Sequence, residues 1–117
     1  LGALNELSVE LRLRPHYKHS PMFTHVQLSP DEMRQIAETL ASNLNLSSSV
    51  TQVLLPMGGF SSEDRSGGAI ESIELREIAA EILESNATHY STQRIPHHIN
   101  TLETAKAAFS ALEPHLT

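Results

Sequence analysis

The sequence has no cysteine and no tryptophan, and its aromatic content is 4%. Without Cys there is no disulfide framework, no thiol nucleophile and no Cys-based zinc site, and a reducing compartment is compatible with that usage. With so few rings, the core must be aliphatic, drawn from Leu, Ile, Val and Ala. Positive charge is scarce too: 8 Lys and Arg stand against 14 Asp and Glu, a formal charge of −6. That balance excludes general nucleic-acid binding, which needs cations to displace phosphate counterions. Long apolar runs are missing. Val53-Leu54-Leu55 stops at Pro56, so no segment is expected to span or enter a membrane. The start carries no basic-then-apolar leader pattern. It also begins at Leu1 rather than Met, which leads us to expect a piece of a longer polypeptide. The composition points to a soluble, cytoplasmic, acidic domain, and 117 residues suffice for one core rather than two.

What is present is an alternation of strand and helix patterns. Residues 1–21 read as an irregular leading segment. Leu11-Arg12-Leu13-Arg14 alternates with period 2, which suggests a short strand or a frayed helix, and Pro15 to Pro21 reads as a break. Met22 to Leu28 reads as a strand. Ser29-Pro30-Asp31-Glu32 then has the form of a capping box with Pro at the first helical position. The helix it opens should reach Asn43 or Asn45, burying Met33, Ile36, Ala37, Leu40 and Leu44. Val50 to Pro56 is the best strand, and its continuous apolar run suits a strand covered on both faces.

Met57 to Glu71 is a long loop holding four of the chain's five glycines, Gly58, Gly59, Gly67 and Gly68. Such loops are uncommon in a compact domain and are usually functional or mobile. Ser72 should cap a helix with an apolar face of Leu75, Ile78, Ala79, Ile82 and Leu83, while Glu71, Glu74, Glu77, Glu81 and Glu84 face solvent. A strand fits Thr88 to Ile95. After Pro96 to Thr101 comes a last helix through Ala105, Ala108, Phe109 and Leu112. The order β, α, β, α, β, α predicts a three-layer Rossmann-like open sheet, mostly parallel, with helices on both faces. In such sheets ligands sit at the strand carboxyl ends, where the glycine loop and the Pro96–Thr101 connection fall.

Glycines allow close backbone approach, exposed N–H groups can hold an anion, and the helix after Ser72 adds its positive dipole end. The loop lacks the Lys-Ser/Thr pair of a P-loop, and Glu63 and Asp64 oppose an anion with only Arg65 to offset them. A plain mobile connection is the competing reading. His98 could hydrogen-bond a ligand or work as an acid/base near neutral pH, or simply hold backbone groups, and Asn100 likewise. His97 is expected to be exposed. His16-x-x-His19 lies in a proline-broken segment without a neighbouring carboxylate, so no metal site is expected. Ser61, Asp64 and His98 lack the nucleophile elbow of a hydrolase.

Leu55-Pro56-Met57-Gly58-Gly59-Phe60-Ser61, followed by Asp64 and Gly67-Gly68, together with Pro96-His97-His98-Ile99-Asn100, resembles the tomato mosaic virus resistance protein-like family, also called Tm-one-like ATP-binding. The resemblance runs from about Tyr17 to the end and takes in His19, Pro21 and Pro30-Asp31-Glu32. It implies a two-domain protein with Rossmann-like domains, of which this chain is most of the C-terminal one. It further implies nucleotide binding, with ATP or a related nucleotide as ligand and no other cofactor required, and self-association as a homo-oligomer. The sequence departs from the family where Gly58 replaces a Lys or Arg, where Ala69-Ile70-Glu71 replaces Pro and aromatic residues, and where Pro96 replaces an acidic residue.

Three readings follow. The first is a domain binding a small phosphorylated or anionic ligand through Gly58, Gly59, Ser61, Asp64, Gly67, Gly68, His98 and Asn100, with the parent protein's N-terminal domain closing the cleft. The second is an enzyme using His98 on a small carboxylate or phosphate. The third is an interaction or dimerisation module.

Overall fold

The computed structural model describes residues 1–116. Its elements are a 3₁₀ turn at Leu4–Glu6, α1 (Val9–Leu13), β1 (His16–Ser20), β2 (Phe23–Val26), α2 (Pro30–Leu44), β3 (Gln52–Pro56), α3 (Ile73–Ser85), β4 (Ser91–Ile95), α4 (Leu102–Leu112) and a 3₁₀ turn at Glu113–His115.

Residues 1–21 are more regular than their sequence suggests. Leu11 to Leu13 belong to α1 rather than to a strand. The Ser8 side chain accepts from Leu11 N–H, and Arg14 reaches back four residues to Glu10 at 2.6 Å, local bonds that outweigh the period-2 pattern. Pro15 and Pro21 bracket β1 instead of breaking it. β1 pairs antiparallel with β2, Tyr17 opposite His25, and those two rings stack with centroids 4.8 Å apart.

α2 starts as its capping box dictates. Ser29 Oγ accepts from Glu32 N–H at 3.2 Å, and Glu32 Oε1 accepts from Ser29 N–H at 2.9 Å. Ser72 and Thr101 cap α3 and α4 in the same way through their hydroxyls. β3 and β4 run parallel, Leu55 opposite Arg94, with α3 as the crossover between them. This is the βαβ unit that the alternating pattern implies.

The strands do not form one open sheet. They make two separate two-stranded sheets, β1-β2 and β3-β4. The Met22–Leu28 strand is spent on a hairpin with β1, so the expected continuous, mostly parallel sheet is absent among the described residues. The molecule is a mixed α/β arrangement in which α2 packs along α3 and both cover the Val53/Leu55 side of the β3-β4 ribbon.

The core is small: Ala41, Leu55, Ala80, Leu83 and Tyr90, ringed by Leu44, Val53, Met57 and Ala87. Tyr90 buries its ring and donates its hydroxyl to Leu83 C=O, and burial raises its pKa. The α2 stripe is rotated from its expected position. Ala37 and Ala41 are buried while Ile36 and Leu40 face solvent, because two small residues let α2 approach α3 closely. On α4 only Thr104 is buried; Ala105, Ala108, Phe109 and Leu112 are exposed. No helix among the described residues is long and apolar enough to cross a membrane.

Candidate functional site

The ladder between β3 and β4 continues past the strand ends and draws the glycine loop against the histidine turn. Met57 N–H donates to Ile95 C=O at 2.8 Å, Gly58 N–H to His97 C=O at 3.0 Å, and Ile99 N–H to Gly59 C=O at 3.0 Å. Gly59 and His98 form a further parallel bridge. A Cβ on Gly58 would stand 2.4 Å from His98 N, and one on Gly59 would stand 1.7 Å from Asp64 O. Glycine is therefore required by the close approach of two backbones. The same contact explains why Gly58 cannot carry a basic side chain here.

The glycine N–H groups are already engaged. Gly59 donates to Pro56 C=O, Gly68 to Arg65 C=O, and Gly67 to Glu71 Oε1. Gly67 has φ +80° with open space around it, whereas a Cβ on Gly68 would meet Glu63 O at 2.0 Å.

His98 closes the rim. Its Nδ1 accepts from Asn100 N–H at 3.0 Å. That acceptor role leaves the ring proton on Nε2, which donates to Ser61 C=O at 2.7 Å. Asn100 donates to Ser62 Oγ at 3.2 Å. The His98 carbonyl accepts from the hydroxyls of Thr101 and Thr104, each at 2.8 Å, fixing the turn to α4. The structure thus brings Gly58, Gly59, Ser61, His98 and Asn100 together, with His98 tied to backbone through both nitrogens. His97 is exposed.

Asp64 organises the loop from inside. It is 8% exposed. Its Oδ2 accepts from Phe60 N–H at 3.0 Å, and its Oδ1 accepts from Ser72 N–H at 3.1 Å and from the Arg76 guanidinium at 3.0 Å. Arg76 also donates to the carbonyls of Gly58 and Asp64, and Glu71 lies 3.9 Å from it. Arg76 is 5% exposed, and its Nε has no hydrogen-bond partner among the described residues. Sequence reasoning missed this residue. The available signal was a charge on the face shared by Ala79, Ala80 and Leu83, where a helix turns inward.

Arg76 lines a pocket of about 170 Å³ with Val26, Gln27, Leu28, Met33, Phe60, Ser61, Asp64, Ile70, Ser72 and Leu75. Its walls come from the segment after β2, the start of α2, the glycine loop and the N-terminus of α3. Gln27 ties the two sides together by donating to Ile70 C=O and Glu71 C=O. Among the described residues no group of three or more His, Asp or Glu is placed to hold a metal ion. His16 Nδ1 bonds Arg14 C=O and His19 packs edge-on to His25.

Residues 1–116 match the family described as "Uncharacterised protein family (UPF0261) C-terminal domain", and the chain belongs to that family. It is similar to a UPF0261 protein of Mesorhizobium japonicum, 35% identical over 106 residues, covering 87% of this chain and 26% of the relative. A UPF0261 protein of Rhizobium meliloti is 33% identical over 98 residues, covering 81% and 25%. One of Brucella suis is 25% identical over 114 residues, covering 97% and 27%. The chain spans about a quarter of the length of the curated relatives it matches.

Proposed function

We propose that this member of the UPF0261 C-terminal domain family is a ligand-binding α/β domain. It takes a small phosphorylated or otherwise anionic ligand in the glycine loop past the carboxyl end of β3, together with a further domain of the same protein. The observation that carries this reading is the pocket beside the glycine loop, lined by Arg76, whose guanidinium Nε is buried without a hydrogen-bond partner among the described residues. A buried donor without an acceptor costs roughly 1–3 kcal/mol. A phosphate or carboxylate oxygen removes that cost once the Arg76 side chain turns its buried Nε toward the pocket, and Val26, Leu28, Met33, Phe60 and Leu75 receive an apolar body.

Asp64 and Glu71 already offset the Arg76 charge, so a singly charged head group suits the site better than a polyanion. The pocket volume of about 170 Å³ is below the roughly 300–1,000 Å³ of sites that enclose a whole drug-sized ligand. A nucleotide would place one end here and extend over the His98–Asn100 rim toward the further domain. The ATP form of the proposal rests on the Tm-one-like resemblance. Catalysis by His98 is the weaker alternative, since the ring must first release Asn100 N–H or Ser61 C=O.

Isobutyrate, inorganic phosphate and ATP, titrated separately to millimolar concentration, test the reading through the Arg76 Nε–H resonance and the amides of Phe60, Asp64 and Ser72. A saturable downfield shift of Nε–H with at least one of them is expected. An unmoved Nε–H with all three overturns it.

A further inference from the structure

β3 has the composition of an interior strand and the position of an edge strand. Ser91 N–H donates to Thr51 C=O and Met57 N–H to Ile95 C=O at the two ends of the β3-β4 ladder. Backbone groups alternate in direction along a strand, so Val53 and Leu55 turn theirs toward β4. Gln52 and Leu54 turn their N–H and C=O groups to the opposite edge, where no strand pairs among the described residues. That edge belongs to Val53-Leu54-Leu55, with no charge between Val50 and Pro56, and is led by Val50, 81% exposed. Natural edge strands are kept unpaired by charges, prolines, bulges or covering elements; β3 has none of the charges, and its proline, Pro56, stands only at the strand's last position. β4 is built the other way. Its Ser91-Thr92-Gln93-Arg94 is polar, and Arg94 is held by Glu77 and Glu84 of α3.

We infer that the free edge of β3 is a pairing site for a strand of the same polypeptide lying outside residues 1–117. A two-stranded ribbon is short of what a stable sheet needs, and parallel strands are found in sheets covered on both faces. Relatives carry about three-quarters of their length outside the matched segment, which supplies chain for the missing strand. A second copy fits less well, because pairing two chains of charge −6 brings like charge together. This inference is independent of the ligand reading: the open edge flanks Gln52 and Leu54, while the pocket lies past the strand's carboxyl end.

Amide hydrogen exchange compared between residues 1–117 and the polypeptide extended to family length tests it. In the short chain, Val53 and Leu55 should be protected and Gln52 and Leu54 should exchange freely. In the longer chain, Leu54 should slow by about 100-fold or more, independent of concentration. Gln52→Pro removes an outward N–H without touching the β3-β4 ladder. It should leave Val53 and Leu55 unchanged in the short chain and lower their protection about tenfold in the long one. Fast exchange at Leu54 in the longer chain, or an equal effect of Gln52→Pro in both, overturns the inference. So does Leu54 protection that appears in the short chain and grows with its concentration, which would assign the edge to a second copy.

Discussion

Asp64 accepts from the loop at Phe60, from the helix start at Ser72 and from Arg76, so one side chain joins two backbone N–H groups and a buried guanidinium. Removing it leaves the buried guanidinium with two backbone carbonyls and only Glu71, at 3.9 Å, as a counter-charge, and breaking a buried ion pair on one side costs about 3–5 kcal/mol. Asp64→Ala should lower the urea midpoint accordingly. Asp64→Ala with Arg76→Met should recover a large part of the loss, because the second change removes the orphaned charge. Thr24 gives the opposite sign. It is 1% exposed and its hydroxyl has no hydrogen-bond partner among the described residues. Thr24→Val keeps the shape and removes the unpaired group, and should stabilise by about 1 kcal/mol in the same unfolding experiment. A loss of stability would mean that the hydroxyl has a bonding role.

In the glycine loop, sequence and structure agree on position, and the structure adds what the glycines touch. Its bounds, its caps at Ser72 and Thr101 and its meeting with the His98 turn were legible, because N-caps and strand-end connections are local or topological signals. The use of the glycines was not, since only three dimensions show Gly59 pressed against Asp64 O and Gly58 against His98 N. Arg76 was hidden for the same reason, being a charge whose partner is twelve residues away. The β1-β2 pairing was hidden because two flanking prolines read as breakers until both are seen at strand ends. Gly67→Ala, with open space at φ +80°, should cost about 1 kcal/mol. Gly59→Ala should cost about 3 kcal/mol or more, since backbone blocks the new methyl. Thermal melts that rank the two equally would contradict a close-packed loop.

The α3 glutamates are expected from sequence to point mostly outward, and two of them, while partly exposed, also clamp an arginine of β4. Arg94 bonds Glu77 at 2.9 Å through Nη1 and Glu84 at 2.8 Å through Nη2. That pairing, chiefly the hydrogen bond from Arg94, lowers the Glu84 pKa from 4.5. A carboxyl whose folded pKa is depressed stabilises fully above its unfolded value and loses that contribution as pH falls through the folded value. Denaturant midpoints should therefore fall as pH drops below about 4.5. Glu84→Gln should flatten part of that fall while changing stability at pH 7 by at most about 1 kcal/mol, because the pair is more than a third exposed.

At the scale of the whole molecule, the chain is extended for its length. Its Cα radius of gyration is 16.2 Å, with extents of 52 × 29 × 23 Å, against roughly 13 Å for a compact domain of this size. The same extension leaves Ile36, Leu40, Leu46, Val50, Phe109 and Leu112 between 44% and 81% exposed. Small-angle scattering on the isolated chain should return the larger radius, and a value near 13 Å would mean the outer elements fold back on the core. Ile36→Ser with Leu40→Ser separates the remaining alternatives. On a solvent-facing stripe, each change should alter stability by at most about 0.5 kcal/mol in the isolated chain. In the longer polypeptide the pair should cost several times more if the stripe is covered there, since a fully buried Ile or Leu contributes about 1.5–3 kcal/mol. Equal effects in both would place α2's outer face in solvent in the longer polypeptide as well.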